Sequence, residues 1–135
     1  MEDAPRALFD TNVLLYLLSG DPAKADRAEE VLAAGGVVSV QVLNEFAAVA
    51  TRKLRMSLPE VREVLATVRA LCRTVPIRED THDKGLDLAE RYGISIYDAM
   101  IVSSALLASC KTLWSEDMQD GQVIDKTLEV RNPFV

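Results

Sequence analysis

Short apolar runs bounded by polar residues alternate with helix-patterned segments from Ala7 to Arg131, and few folds accommodate that alternation. Ala7 to Phe9 is apolar without a polar interruption, the pattern of a parallel strand buried on both faces. Asp21-Pro22 reads as an N-cap followed by proline at the first helical position, opening a helix through Leu32 that stops near Gly35-Gly36. Val37 to Val40 is a second strand. Gln41 to Arg55 carries Val42, Leu43, Phe46, Val49 and Ala50 on one helical stripe. Ser57-Leu58-Pro59-Glu60 is a capping box for a helix running to about Arg73. Val75 to Ile77 is a third strand candidate, followed by a helix capped by Asp80 or Thr81 and ending at Gly93. Ser95 opens a helix from Ile96 to Cys110, Thr112 to Trp114 is a fourth strand, and Leu128 to Arg131 adds a short edge strand. The expected architecture is α/β, a parallel sheet covered by helices on both faces, with ligands outside the carboxyl ends of its strands.

The chain has 135 residues, 49% hydrophobic and 27% charged, which suits one domain spanning 1–135 and leaves no room for a cap domain. No stretch reaches the roughly 18 consecutive apolar residues of a membrane span, and Met1-Glu2-Asp3 lacks the basic region of a signal peptide. A cytoplasmic protein without membrane association is expected. Cys72 and Cys110 fall in predicted helices with no C-x-x-C spacing, so buried thiols are expected rather than a disulfide or a zinc site. The net charge of −6 argues against a general nucleic-acid binder, because neutralising phosphates normally takes a basic face.

The acids carry the chemistry. Asp10 and Asp117 fall just after strands, while Glu45 and Asp98 lie in the first turns of helices, so all four can converge at one edge of the sheet. Clustered carboxylates raise one another's pKa and do not stay ionised together unless a hard divalent cation supplies positive charge, which points to Mg²⁺ or Mn²⁺. Asp98 begins a helix with no charge from Ala99 to Cys110, the composition of a central, buried helix. It also completes a Ser95-x-x-Asp98 capping box, a structural role compatible with the metal one. Taken singly, Glu45 reads as a boundary residue of its helix, Asp10 as a turn former and Asp117 as one solvated acid among Glu116 and Asp120. The joint order of the four is the signal.

Phe9-Asp10-Thr11-Asn12, Asn44-Glu45-Phe46, Tyr97-Asp98-Ala99-Met100-Ile101 and Trp114-Ser115-Glu116-Asp117-Met118-Gln119 together resemble the four motifs of PIN-domain ribonucleases, nearly end to end and in order. The likeness is greatest to the single-domain toxins called VapC. It implies a three-layer α/β/α PIN-like fold around a mostly parallel sheet of four to five short strands. It also implies that Asp10, Glu45, Asp98 and Asp117 bind one or two Mg²⁺ or Mn²⁺ ions. Thr11, Asn12 and Ser115 join the catalytic set by orienting the acids or water, and Glu116 or Asp120 stands as an alternative for the fourth acid. The implied reaction is hydrolysis of RNA phosphodiesters, and the implied partners are an RNA substrate, a cognate antitoxin protein and a second copy in a homodimer.

On that reading no side-chain nucleophile is needed. The single histidine, His82, excludes a paired-histidine mechanism and suits a surface role. Four of the negative charges would belong to the metal site, which lessens the electrostatic objection; Arg52, Lys53 and Arg55, or Arg62, Arg69 and Arg73, are candidates for RNA contact. Val13, Leu14, Leu17 and Leu18, or the helix from Leu58 to Leu71, offer apolar contact surfaces unless core packing consumes them. Two rivals remain. One is a catalytically inactive PIN-like module that binds RNA or protein; the other is a haloacid dehalogenase-like phosphohydrolase with Asp10 as nucleophile. Asn12 stands where that second family tends to carry another aspartate.

Overall fold

The computed structural model describes residues 6–135; the acidic start Met1-Glu2-Asp3 lies outside the described residues. In chain order the elements are β1 (Ala7–Phe9), α1 (Thr11–Leu15), α2 (Pro22–Ala33), β2 (Gly36–Ser39), α3 (Val40–Arg52), α4 (Leu58–Leu71), β3 (Cys72–Val75), α5 (Glu79–Tyr92), α6 (Ile96–Leu107), β4 (Thr112–Trp114), β5 (Val123–Ile124) and β6 (Leu128–Arg131). A single 3-10 turn, Tyr16–Leu18, joins α1 to the loop before α2.

The strands form a sheet in the order β3-β2-β1-β4-β6-β5, parallel throughout except for the β5–β6 pair. β1 is central: Leu8 pairs with Val37 of β2, and Phe9 with Trp114 of β4. Leu8, Phe9, Val37, Val38 and Leu113 are buried in the core, which is why these strands are apolar at consecutive positions. β1 and β2 also approach closely. A Cβ on Gly36, where φ is +153°, would lie 2.5 Å from the Ala7 carbonyl oxygen and 2.7 Å from the Phe9 ring.

The expected α/β class holds, with six strands rather than four or five. The third strand lies earlier than Val75 to Ile77, because Pro76 has no N–H to give the ladder and ends the strand at Val75. α4 therefore stops at Leu71, short of Arg73, and Cys72 begins a strand instead of lying in a helix. Cys110 likewise follows α6 in a loop. Both thiols are free and buried, and burial pushes each up to about 11. Leu128 to Arg131 is a strand but not the edge, since β5 lies outside it.

The β5–β6 hairpin lacks an Asn-Gly or Asp-Gly turn and instead turns through Asp125 and Lys126 at φ of 50° and 65°. Tertiary contacts hold it. The Asp125 carboxylate accepts from Arg91 Nη1 at 2.9 Å and Lys84 Nζ at 3.5 Å, and its backbone N–H donates to the Tyr92 hydroxyl at 2.9 Å.

Val13 and Leu14 form α1 and are fully buried, so core packing consumes them; Leu17 and Leu18 stay half-buried. Three further caps follow the sequence. Asp21 caps α2, the Ser57–Glu60 box caps α4, and Gly93 ends α5 in the left-handed region at φ 66°. α5 is not capped by Asp80; Arg78 is its N-cap residue, and the Thr81 hydroxyl accepts the Arg78 N–H at 3.0 Å. Among the described residues, no helix is long and apolar enough to cross a membrane.

Candidate active site

Asp10 leaves the carboxyl end of β1, its backbone N–H still donating to the Trp114 carbonyl of β4 at 2.9 Å. Its side chain then caps α1. The carboxylate, 4% exposed, accepts from the Thr11 N–H at 2.7 Å, the Ser115 hydroxyl at 2.7 Å and Asn12 Nδ2 at 3.2 Å. Burial nevertheless pushes Asp10 up to about 6; the Ser115 and Thr11 hydrogen bonds oppose that rise, and the charges of Asp98 and Glu45 add to it.

Glu45 is carried in by α3, which starts directly at the end of β2. Ser39 Oγ accepts the Val42 N–H at 3.2 Å, so strand and helix join without a loop. The Glu45 carboxylate accepts from the Thr11 hydroxyl and from Gln41 Nε2, each at 2.7 Å.

Asp98 sits in the first turn of α6, where Ser95 Oγ accepts its N–H at 3.1 Å. Burial raises the Asp98 pKa, the Ser95 hydroxyl opposes it, and Glu45 and Asp117 push it further up. Behind it, Ala99 through Ala105 are all buried, so α6 is the central helix its composition predicts.

Asp117 follows β4 and is exposed. Its carboxylate accepts from Asn12 Nδ2 at 3.1 Å. Asn12 therefore spans the site: the same amide nitrogen reaches Asp10 and Asp117, and Oδ1 accepts the Glu116 N–H at 3.1 Å.

The alternatives for the fourth acid point elsewhere. Glu116 accepts from the Tyr16 hydroxyl at 2.6 Å and Lys24 Nζ at 3.0 Å, and the Tyr16 hydrogen bond leads in lowering its pKa. Asp120 Oδ1 accepts the Asn132 N–H at 2.7 Å and ties down the last residues.

Asp10, Glu45, Asp98 and Asp117 line one open cleft of about 610 Å³, together with Thr11, Asn12, Leu15, Ala48, Val49, Arg52 and Tyr97. None of these four acids is ion-paired with a Lys or Arg among the described residues. Nor do any three of the described acids, cysteines or histidine already stand close enough to cage a metal ion. Ser115 is fully buried and lies behind Asp10 rather than on the cleft wall.

Of the six candidate cations, Arg52 lines this cleft, Lys53 lines an adjoining groove with Asn12 and Glu116, and Arg73 lines a separate pocket. His82 is exposed on α5 and outside the cleft. Sequence reasoning missed Gln41, although its i to i+4 spacing from Glu45 on one helix was a usable signal. It also missed the Tyr16–Lys24–Glu116 bracket, which joins positions so distant in the chain that no local pattern links them.

The fold and site define an α/β protein with an acid-lined cleft outside the carboxyl ends of a parallel sheet. The chain belongs to the PIN domain family, which matches residues 7–120 and so spans all four acids. Among solved structures, it is similar to a toxin-antitoxin complex from Klebsiella pneumoniae, with 24% identity over 94% of this chain and 97% of that one and a TM-score of 0.71. It is also similar to VapC20 of Mycobacterium tuberculosis, a sarcin-ricin loop cleaving toxin, with 17% identity over 82% and 91% of the two chains and a TM-score of 0.66. A third, VapBC2 from Rickettsia felis bound to a promoter DNA fragment, shares 20% identity over 93% and 97% with a TM-score of 0.68. No curated protein matches the chain in sequence.

Proposed function

We propose that this protein is a metal-dependent endoribonuclease and the toxin of a VapC-type toxin-antitoxin pair. The observation that carries the reading is the convergence of Asp10, Glu45, Asp98 and Asp117 on one cleft, with no Lys or Arg of the described residues paired to any of them. An all-carboxylate donor set fits a hard divalent cation by its chemistry, and these four side chains would hold one or two Mg²⁺ or Mn²⁺ ions. When bound, such ions neutralise the cleft and lend Lewis-acid stabilisation to charge developing on an RNA phosphodiester.

The chain's own residues prepare the acids for that task. Ser115, Thr11 and Asn12 donate to Asp10 and favour its ionised form against the burial that protonates it. Gln41 and Thr11 fix both oxygens of Glu45, and Asn12 holds Asp117 within the same constellation. Leu15, Ala48 and Val49 give the cleft an apolar flank beside the acids.

Family membership and the shared fold of the Klebsiella and Mycobacterium proteins support an RNA substrate and an antitoxin partner, with a homodimer as the working assembly. An apolar groove of about 410 Å³ between the Tyr16–Leu18 turn, α2 and α4 is lined by Leu17, Leu18, Leu32, Val64 and Leu71, and would suit the antitoxin.

The test is incubation of purified protein with structured RNAs, with Mn²⁺ or with EDTA, beside Asp10→Ala and Asp98→Ala. Fragments are expected from the wild type in Mn²⁺ alone. Fragments of equal yield in every sample would mark contamination and sink the nuclease reading. RNA binding without cutting would favour the inactive-module reading instead.

A further inference from the structure

The pocket that takes Arg73 lies apart from the acid cleft and shares no lining residue with it. It measures about 250 Å³ and sits between β3, the start of α5 and the end of α6. One wall is Ser104, 3% exposed, whose Oγ is the one buried side-chain oxygen or nitrogen without a hydrogen-bond partner among the described residues. Ser103 beside it is satisfied, donating to the Thr81 carbonyl at 2.8 Å. Ser104 instead shares a face of α6 with Leu107 and Ala108, and all three line the pocket. A hydroxyl stripped of water without a partner is costly, and one that faces a pocket is poised to bond what enters it.

The charges around Ser104 have one sign in excess. Arg73 and Val75 alternate onto one face of β3, and Arg78 is the N-cap residue of α5. Among the described residues Arg73 makes no ion pair, and Arg78 makes a loose one, Nε to Asp80 Oδ1 at 3.8 Å. Asp80 is the one acid on the pocket wall, so two guanidiniums face one carboxylate in a chain whose net charge is −6. Thr81, also buried, accepts the Arg78 N–H at its hydroxyl and still has the hydroxyl proton to give. A guanidinium at the N-cap has no acceptor for the first amides of α5, which leaves them to favour an anion. Glu79 and Asp80 in the first turn answer part of that dipole, so the guanidiniums and hydroxyls carry the site.

We propose that this pocket binds phosphate, free or as the head of a small phosphomonoester, through the Arg73 and Arg78 guanidiniums and the Ser104 and Thr81 hydroxyls. Two guanidiniums match a tetrahedral dianion better than a carboxylate, whose two oxygens one fork already satisfies. Val75, Pro76 and Leu107 give apolar walls for a short carbon stem. The volume falls below the roughly 300–1,000 Å³ of pockets for drug-sized ligands, too little for a whole nucleotide.

The experiment is isothermal titration calorimetry on the full chain freed of divalent cations, so that no phosphate is drawn to the acid cleft through a metal. The titrants are inorganic phosphate, glycerol 3-phosphate and a single-stranded RNA octamer. Submillimolar binding of phosphate is expected; glycerol 3-phosphate binding more tightly assigns the pocket to a phosphomonoester, and binding no more tightly assigns it to free phosphate. Arg73→Gln and Arg78→Gln, both at exposed positions, should each weaken binding about tenfold. Ser104→Ala should raise the melting temperature of the ligand-free protein by removing an unpartnered hydroxyl, yet shrink the further rise that phosphate gives. Phosphate raising the melting temperature of Ser104→Ala as much as that of wild type would reduce Ser104 to packing and overturn the proposal. So would the absence of heat from either phosphate at millimolar concentration, or binding that survives Arg73→Gln and Arg78→Gln together. An octamer that binds through these two arginines while neither small phosphate does overturns it as well. None of these outcomes touches the nuclease reading, which rests on the other cleft.

Discussion

Asp10 and Asp117 follow neighbouring parallel strands, β1 and β4, at the same edge of the sheet, yet they live in opposite environments. Asp10 is 4% exposed and takes three hydrogen bonds, from a backbone N–H, a hydroxyl and an amide. Asp117 is exposed, and its one side-chain partner among the described residues is Asn12. A buried carboxylate must be held by designated donors and is raised in pKa even so, whereas an exposed one has water for partners and needs no such set of donors. The two acids therefore contribute differently: Asp10 is a buried, fully held point of the site, and Asp117 is an exposed arm kept near it by Asn12 and by the bracket on Glu116.

The largest effect that would break this contrast is on activity. Asp10→Asn is expected to lower RNA cleavage about a thousandfold, some 4 kcal/mol on the barrier, and Asp117→Asn about tenfold to a hundredfold. Equal losses in single-turnover rates would show that burial does not rank the two acids.

Next is the support beneath Asp10. Gly36→Ala would drive a Cβ against the Ala7 carbonyl and the Phe9 ring, and should cost about 3 kcal/mol or more in urea unfolding. A smaller loss would mean that β1 can shift, carrying Asp10 with it.

The pH dependence separates the acids further. Asp10 sits at about 6 in the folded protein against an ordinary 3.8, so the unfolded chain releases this proton first. Its contribution to stability is full below about pH 4 and is lost as pH rises through about 6, a change on the order of 3 kcal/mol without divalent cations. Asp10→Asn should then melt several degrees higher than wild type at pH 7.5, and no higher at pH 4. Mn²⁺ should raise the wild-type melting temperature at pH 7.5 more than that of Asp10→Asn. A wild type whose stability is flat from pH 4 to 7.5 would contradict the burial argument.

Ser115→Ala removes a buried hydroxyl that donates to Asp10 Oδ2 and accepts the Met118 N–H, and should cost about 1–2 kcal/mol in the same unfolding assay. The smallest effect belongs to the exposed arm. Lys24→Met leaves Glu116 with Tyr16 alone and should lower cleavage a few-fold with little change in melting temperature. An unchanged rate would remove the bracket from the account of Asp117.

Much of this was legible in the chain. The order of short apolar runs and striped helices gives a parallel sheet because strands buried on both faces cannot alternate. Ser57, Gly93 and Ser95 mark helix ends because orphan backbone groups there need particular partners or a positive φ. Asp10 and Asp98 are legible because each interrupts an apolar run at an element boundary.

Other features were not legible from local pattern. The β5–β6 hairpin turns at residues without the usual turn chemistry, because Arg91, Lys84 and Tyr92 of α5 hold Asp125 in place. Which of Glu116, Asp117 and Asp120 faces the cleft depends on Tyr16, Lys24, Asn12 and Asn132, residues that lie in other elements.

By itself the sequence determined the layered α/β class and the edge of the sheet where acids collect, since strand and helix periods and cap chemistry are local and read directly along the chain. The tertiary structure alone decided which acids share a cleft, which donors hold them and which side chains stay open beside them. Those facts depend on distances between elements far apart in the chain, and Asn12, touching Asp10, Asp117 and the backbone of Glu116 at once, acquires its part only when β1 and β4 lie side by side.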